Sequence, residues 1–206
     1  MACDGAVRFR DFRSMAWGIW VGAAMACAGC QSAHKAHAVD AGSLPVAVSG
    51  YEDEIEFGIF RDGDLLISGQ PSEAAMRRLA AEGVTRVINL RTQREMDNRQ
   101  AVPYDEAALL EELGVEYIHI PLGGDNHPYT PAAVDALAAA LEGANGHALL
   151  HCTVAWRASH LWTAYLVRYR GMPFNEAYEH GRAINMGTMP VEKFLGKTMT
   201  LELVDG

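Results

Sequence analysis

The sequence predicts an α/β domain in which a mostly parallel sheet is flanked by helices. Half of the 206 residues are hydrophobic, which is enough for a packed core. Short β-rich segments alternate with helical segments along the chain. Because this alternation is typical of strands joined by crossover helices, neighbouring strands are expected to run parallel. We expect one domain over residues 51–200.

The elements of this domain can be placed by periodicity and by their end signals. The predicted strands cover residues 56–60, 65–68, 85–90, 116–121 and 148–151. The predicted helices cover residues 73–82, 101–113, 131–142, 157–169 and 175–184. Ser72 is expected to cap the first helix, Gly114 to end the second, and Thr130-Pro131 to begin the third.

The first fifty residues are expected to lie outside the domain. Three arginines precede an uncharged, small-residue stretch, which is typical of a bacterial export signal over residues 1–30. This stretch ends in Ala-Gly-Cys, so Cys30 is a candidate lipidated residue, and cleavage after Ala38 is the alternative. The protein would then be periplasmic or lipid-anchored to the outer membrane, unless the segment is the apolar N-terminal helix of a cytoplasmic protein. Residues 31–50 are small and polar, which predicts a flexible linker.

Charge and cysteine content exclude several classes of protein. The net charge of −9 argues against a nucleic-acid-binding protein, which normally carries a basic surface. No run of eighteen apolar residues follows residue 30, so no internal membrane span is expected. Three of the four cysteines lie within the first thirty residues, so disulfides are not expected to hold the domain together.

The fourth cysteine, Cys152, directly follows an apolar strand and precedes a helix, with Arg157 five residues further on. Loop N–H groups can converge at the start of a helix and form an anion site. The helix dipole and a nearby guanidinium would favour the reactive thiolate, and an arginine can hold two oxygens of an anion at once. The alternative is a small buried core cysteine, against which the strand–loop–helix context argues.

Several motifs together resemble the cysteine-dependent protein tyrosine phosphatases, including the dual-specificity type and, more closely, small bacterial tyrosine phosphatase-like proteins. The resemblance covers residues 57–186 and rests on LISGQPS at 66–72, VINLR at 87–91, Asp125 and the His151-Cys152 loop up to Arg157. It implies a cysteine phosphatase-like fold and hydrolysis of phosphate monoesters, on a phosphorylated protein or a small phosphoester, without a metal or cofactor.

The resemblance also implies residue roles. Cys152 would form a thiophosphoryl intermediate, Arg157 and the loop amides would stabilise the phosphate oxygens, and Asp125 would protonate the leaving oxygen. An exposed turn aspartate is the alternative for Asp125. His151 would orient the loop, Ser159 could donate to the thiolate, and Arg91 could line the pocket or form a surface ion pair. The expected substrate-binding residues are His151, Thr153, Val154, Ala155, Trp156, Ser159 and Arg91.

The loop departs from the usual phosphatase pattern. Four residues instead of five separate Cys152 from Arg157, and Ala155 stands at a usual glycine position. A shorter loop narrows the ring of backbone N–H groups that would surround a bound anion. Two alternatives therefore stay open: a rhodanese-like sulfurtransferase, which uses a loop of this tighter kind, and a catalytically inactive envelope protein that binds an anion or a partner.

Overall fold

The computed structural model describes residues 43–187 and 190–198. Within these ranges the strands are β1 (Val46–Ala47), β2 (Ile59–Asp62), β3 (Leu65–Ser68), β4 (Val84–Asn89), β5 (Glu116–His119) and β6 (His147–His151). The helices are α1 (Glu73–Ala81), α2 (Gln93–Met96), α3 (Glu106–Leu113), α4 (Pro131–Leu141), α5 (Trp156–Arg170), α6 (Phe174–Ile184) and α7 (Val191–Leu195). No helix in this part of the chain is long and apolar enough to cross a membrane.

The strands form one sheet in the order β1-β2-β3-β6-β4-β5. β3, β6, β4 and β5 run parallel, whereas β1 and β2 add an antiparallel edge beside β3. The prediction of an α/β domain with a mostly parallel sheet is therefore confirmed. Parallel strands place their carboxyl ends at one edge of the sheet, where open α/β sheets bind ligands.

Both faces of the sheet are covered by helices. Leu65, Ile67 and Leu150 belong to the core shared with α4, α5, α6 and α7. Leu66 and Leu149, which alternate with them, belong to a second core shared with α1 and α3. Successive strand side chains point to opposite faces, so these apolar runs bury residues on both sides. Each fully buried leucine or isoleucine contributes about 1.5–3 kcal/mol.

Two predicted elements begin later than their sequence pattern suggested. The predicted strand from residue 56 begins at Ile59, because Phe57 and Gly58 have φ angles of 65° and 86° and cannot be extended. The predicted helix from residue 101 begins at Glu106, where the Asp105 side chain accepts a hydrogen bond from the Ala108 N–H. The predicted Ser72 cap is confirmed, because its hydroxyl oxygen accepts the Ala75 N–H at 3.1 Å.

The structure also contains three short elements outside the predicted ranges: β1, α2 and α7. Val46–Ala47, inside the predicted linker, pairs with Arg61 and Phe60 as an edge strand. Val191–Leu195 forms α7, whose fully buried Phe194 packs edge-on against Tyr129 at a ring distance of 5.4 Å. All three segments are too short for periodicity to identify. The predicted export signal, including Cys30, lies outside the described residues.

Candidate active site

The carboxyl ends of the parallel strands bring the predicted site residues to one edge of the sheet. Gln70 follows β3, Arg91 follows β4, the loop carrying Asp125 follows β5, and Cys152 follows β6. The backbone joins these segments directly: the Cys152 N–H donates to the Ser68 carbonyl at 3.3 Å, and the Leu90 N–H to the His151 carbonyl at 2.9 Å. The sheet therefore fixes Cys152 between the ends of β3 and β4.

Cys152 lies at the bottom of a tight turn between β6 and α5. It is buried, with 1% of its surface exposed, and it is the free cysteine of the described residues. Ala155 adopts the left-handed conformation, with φ of 59°, and α5 begins at Trp156. Glycine usually occupies such a position because a Cβ atom there costs about 1 kcal/mol. Only Thr153, Val154 and Ala155 therefore form the loop proper, and Trp156 is already helical.

Arg157 is held by acceptors from four segments. Its Nη1 donates to the carbonyl oxygens of Leu122 at 2.6 Å and Leu90 at 3.3 Å, and to Glu95 Oε2 at 2.9 Å. Its Nη2 donates to Glu95 Oε1 at 2.6 Å and to Thr153 Oγ1 at 2.9 Å. The guanidinium is thus fixed in a forked pair with one carboxylate at the base of the loop.

Glu95 is the functional-site residue that the sequence reasoning missed. It forms a capping box with Thr92 at the start of α2. The same carboxylate also accepts the Thr153 hydroxyl at 3.0 Å. Partial burial opposes its ionisation, but the hydrogen bonds from Arg157 and Thr92 prevail and lower the pKa of Glu95 to about 2. The Thr-x-x-Glu pattern at 92–95 is a sequence signal for the cap, but not for the pair with Arg157.

Arg91 is buried beside the Cys152 loop, and its ion pair with Glu95 lies there rather than on the exposed surface. Only 4% of its surface is exposed. Its Nη1 donates to Gln70 Oε1 at 2.8 Å, and its Nε lies 3.8 Å from Glu95 Oε1. Burial lowers the pKa of Arg91, but its side chain remains a cation beside the Cys152 loop. Glu95 thus lies between two arginines.

His151 faces away from the loop and into a buried polar network. Its Nε2 lies 3.0 Å from Glu106 Oε1, and both side chains are almost completely buried. Glu106 also accepts hydrogen bonds from Gln70 Nε2 and Asn89 Nδ2, at 2.9 and 2.8 Å. Burial opposes ionisation of Glu106, but the neighbouring His151 and these donors lower its pKa overall. This geometry suits a residue that orients the loop, not one that touches a ligand.

Asp125 lies on the exposed loop that follows β5. It lines a cleft of about 500 Å³ together with Thr92, Glu95 and Gly123. Among the described residues it has no hydrogen-bond or ion-pair partner. The base of its loop is tied to the arginine, because the Leu122 carbonyl accepts a hydrogen bond from Arg157 Nη1 at 2.6 Å. Asp125 is therefore unpaired on a loop whose base is fixed to Arg157.

The remaining predicted loop residues have other roles in this structure. The Ser159 hydroxyl donates to the Trp156 carbonyl at 2.8 Å and not to Cys152, because a helical serine readily bonds a carbonyl in the preceding turn. The Val154 carbonyl accepts the Asn185 amide at 2.6 Å. The half-buried Trp156 ring packs edge-on against His160. In the described ranges, no group of three or more His, Cys, Asp or Glu side chains could hold a metal ion.

The comparisons with known proteins agree with this geometry. The sequence model of the phosphatase-like domain of beta-lactamase hydrolase-like proteins matches residues 59–166, just over half of the chain. No curated protein matches the chain.

Solved structures are similar to the chain over about two thirds of its length. A candidate phosphatase (DUF442) from Shewanella putrefaciens CN-32 is 27% identical, with a TM-score of 0.54, and the match covers 68% of this chain and 89% of that one. P. aeruginosa TpbA, solved in complex with phosphotyrosine, is 18% identical, with a TM-score of 0.47 and coverage of 74% and 80%. The predicted cysteine phosphatase-like fold is confirmed, and the chain belongs to the family of the phosphatase-like domain of beta-lactamase hydrolase-like proteins.

Proposed function

We propose that this phosphatase-like chain is a cysteine-dependent phosphatase that hydrolyses phosphate monoesters through a thiophosphoryl intermediate on Cys152. The observation that carries the proposal is the placement of Cys152 between a strand end and the start of α5, with Arg157 fixed at the same loop. The first amides of α5 have no acceptor within the helix, so they can donate to phosphate oxygens. Arg157 and Arg91 add positive charge on the side of the loop that faces the sheet.

The reaction takes place in two steps. The Cys152 thiolate attacks phosphorus, so an S–P bond forms while the bond to the leaving oxygen breaks. The protonated Asp125 carboxyl gives its proton to that oxygen. A water molecule then attacks phosphorus, Asp125 takes a proton from it, and the S–P bond breaks to release inorganic phosphate. The exposed position of Asp125 on a loop anchored at Arg157 supports this role, because the loop can reach a leaving group above Cys152.

Turnover of phosphotyrosine and of a nitrophenyl phosphate by the full-length chain tests the proposal. Cys152→Ser should abolish release of phosphate from both substrates. Asp125→Asn should slow phosphotyrosine hydrolysis by about 10²-fold or more, in the range of general acid catalysis. It should slow the nitrophenyl ester less, because nitrophenolate leaves without much help from a proton. Asp64→Asn is the matched control, since Asp64 is also an exposed turn aspartate but lies at the amino end of β3.

A rhodanese-like sulfurtransferase is the second candidate, favoured by the four-residue spacing between Cys152 and Arg157. In such an enzyme the Cys152 thiolate takes the outer sulfur of thiosulfate as a persulfide while the S–S bond of thiosulfate breaks and sulfite leaves. Cyanide then takes that sulfur as thiocyanate and restores the thiolate, and no proton from Asp125 is required. The sulfurtransferase would replace the phosphatase proposal if thiocyanate formed without any release of phosphate. This formation should depend on Cys152 and be unchanged in Asp125→Asn. A folded protein that forms neither phosphate nor thiocyanate would instead support a non-catalytic anion-binding role.

We also propose that the chain is exported and that Cys30 is acylated after cleavage of residues 1–29. The support is the sequence alone: arginines, a small-residue stretch and Ala-Gly-Cys. Intact mass spectrometry of membrane-extracted protein should show an N-terminal diacyl or triacyl cysteine that Cys30→Ser eliminates. An unacylated mature protein beginning at Val39 would refute lipidation.

A further inference from the structure

A second cleft, of about 750 Å³, reaches the Cys152 loop at Thr153 and is also lined by Arg91. Its opposite wall is the segment just before β2, which we call the acidic wall and define as residues 52–57. The acidic side chains of this wall are Glu52, Asp53, Glu54 and Glu56, and all four line the cleft. The catalytic mechanism proposed above uses none of them.

Backbone hydrogen bonds fix the distance from the acidic wall to the loop. The Glu56 N–H donates to the Gln70 carbonyl at 3.0 Å, and the Gln70 N–H donates to the Thr153 carbonyl at 2.9 Å. The acidic wall, the segment at Gln70 and the Cys152 loop therefore lie side by side like three strands. Since paired strands are about 4.8 Å apart, the acidic wall lies about 10 Å from the loop. This is about the distance between a phosphate held at the Cys152 loop and the residues that flank the phosphorylated residue in a peptide.

Two carboxylates of the wall have no counter-charge in the described structure. Glu54 is paired with Arg78, and Glu52 accepts the Gly50 N–H. Asp53 and Glu56 are exposed, and their carboxylates have neither a hydrogen-bond nor an ion-pair partner among the described residues. Beside them, Phe57 is 52% exposed, which provides an apolar surface next to the charges.

The inner end of the cleft has the opposite character. Arg91 lines the cleft with its side chain 95% buried, where its Nη1 donates to Gln70 Oε1 and its Nε lies 3.8 Å from Glu95 Oε1. Because Glu95 is shared with Arg157, this end of the cleft keeps an excess of positive charge. The cleft thus combines a cationic inner end next to the Cys152 loop with unpaired carboxylates at its open end.

We propose that this cleft selects phosphopeptides in which lysine or arginine flanks the phosphorylated residue. The inference rests on the proposed phosphatase function and adds its substrate class. The phosphate faces Cys152 and the two arginines, a flanking lysine or arginine reaches Asp53 and Glu56, and the aliphatic part of that side chain packs on Phe57. Polyanionic substrates are disfavoured, because they would bring further negative charge against the acidic wall.

The test measures both binding and turnover of two phosphotyrosine peptides of equal length, one flanked by lysines and one by glutamates. Binding is measured by fluorescence anisotropy with full-length Cys152→Ser, and turnover with the otherwise unaltered chain. Two charge pairs at an exposed site predict roughly tenfold tighter binding of the basic peptide at low salt, and this preference should shrink at 0.5 M NaCl. The paired substitution Asp53→Asn with Glu56→Gln should reduce the preference to less than about threefold.

The matched control is Glu111→Gln with Glu142→Gln. It removes the same charge from exposed residues near the ends of α3 and α4, at the opposite edge of the sheet. This control should retain the preference, and both double variants should hydrolyse the nitrophenyl ester at the unaltered rate. Equal binding of the two peptides, or an unchanged preference in the acidic-wall variant, would refute the inference. A retained binding preference without turnover of any phosphoester would refute the phosphatase function and leave the binding specificity of the cleft established.

Discussion

Glu95→Gln is the substitution that most directly tests how the site is held together. The change keeps the length of the side chain but removes the negative charge that faces Arg157 through two hydrogen bonds, of 2.6 and 2.9 Å. The buried guanidinium of Arg157 is then left with neutral acceptors only, the Leu90 and Leu122 carbonyls and the Thr153 hydroxyl among them. Removing one partner of a buried ion pair usually costs about 3–5 kcal/mol.

The lowered pKa of Glu95 indicates a cost of similar size. Partial burial opposes its ionisation, yet the hydrogen bonds from Arg157 and Thr92 lower its pKa from 4.5 to about 2. This difference corresponds to about 3 kcal/mol of preference for the charged carboxylate in the folded state. Because the folded pKa is lowered, the stabilisation is complete above pH 4.5 and is lost as the pH falls towards 2.

Urea denaturation at pH 7 measures the effect. Glu95→Gln should lower the free energy of unfolding by about 3 kcal/mol, and its deficit should disappear near pH 2. Glu73→Gln is the control, because Glu73 pairs with Arg77 at a similar 2.9 Å but on the exposed surface. That change should cost less than about 1 kcal/mol. If the two variants lost equal stability, Glu95 would not be the structural anchor of Arg157.

Two further predictions concern groups outside the catalytic chemistry. Burial lowers the pKa of His160 to about 4. The free energy of unfolding should therefore fall by up to about 3 kcal/mol as the pH falls from 6.5 to 4, because the unfolded chain takes up a proton there that the folded chain does not. This loss of stability should disappear in His160→Phe. The measurement is urea unfolding across that pH range, with His147→Gln as the control. If the free energy of unfolding of His160→Phe and of the unaltered chain changed with pH in the same way, the reasoning would be contradicted. Gly69→Ala should cost more than about 3 kcal/mol in thermal or urea unfolding, because its Cβ atom would clash with the Glu56 carbonyl oxygen. Gly171→Ala, a left-handed position with open space around it, should cost only about 1 kcal/mol, and equal losses would refute the clash.

The parts of the site that follow strands could be predicted from the sequence. Apolar runs mark β4 and β6 as buried parallel strands, and Arg91 and Cys152 come directly after them. A parallel sheet places such residues at one edge, whatever the details of packing. The position of Arg157 then follows from the short loop and the first turn of α5.

The partners of these residues could not be predicted in the same way. Glu106 lies in the first turn of α3 and would be expected to face solvent, yet it is buried against His151. The sequence pattern around Glu95 predicts only an ordinary capping residue. Its contact with Arg157 joins residues that are 62 positions apart in the chain. Such pairs depend on how helices pack over the sheet edge, and local patterns carry no information on that packing.

The net charge of the chain also gives little guide to the potential at its site. The chain carries a formal charge of −9, but Arg91 and Arg157 share a single carboxylate, Glu95, and leave an excess positive charge beside Cys152. About 10 Å away the sign reverses at the acidic wall, whose backbone is tied to the loop through Gln70. At low salt, where exposed charges are little screened over this distance, both local fields act on a bound molecule. A substrate that carries its phosphate and a cation at this separation is attracted by both, whereas a polyanion is attracted at one end and repelled at the other.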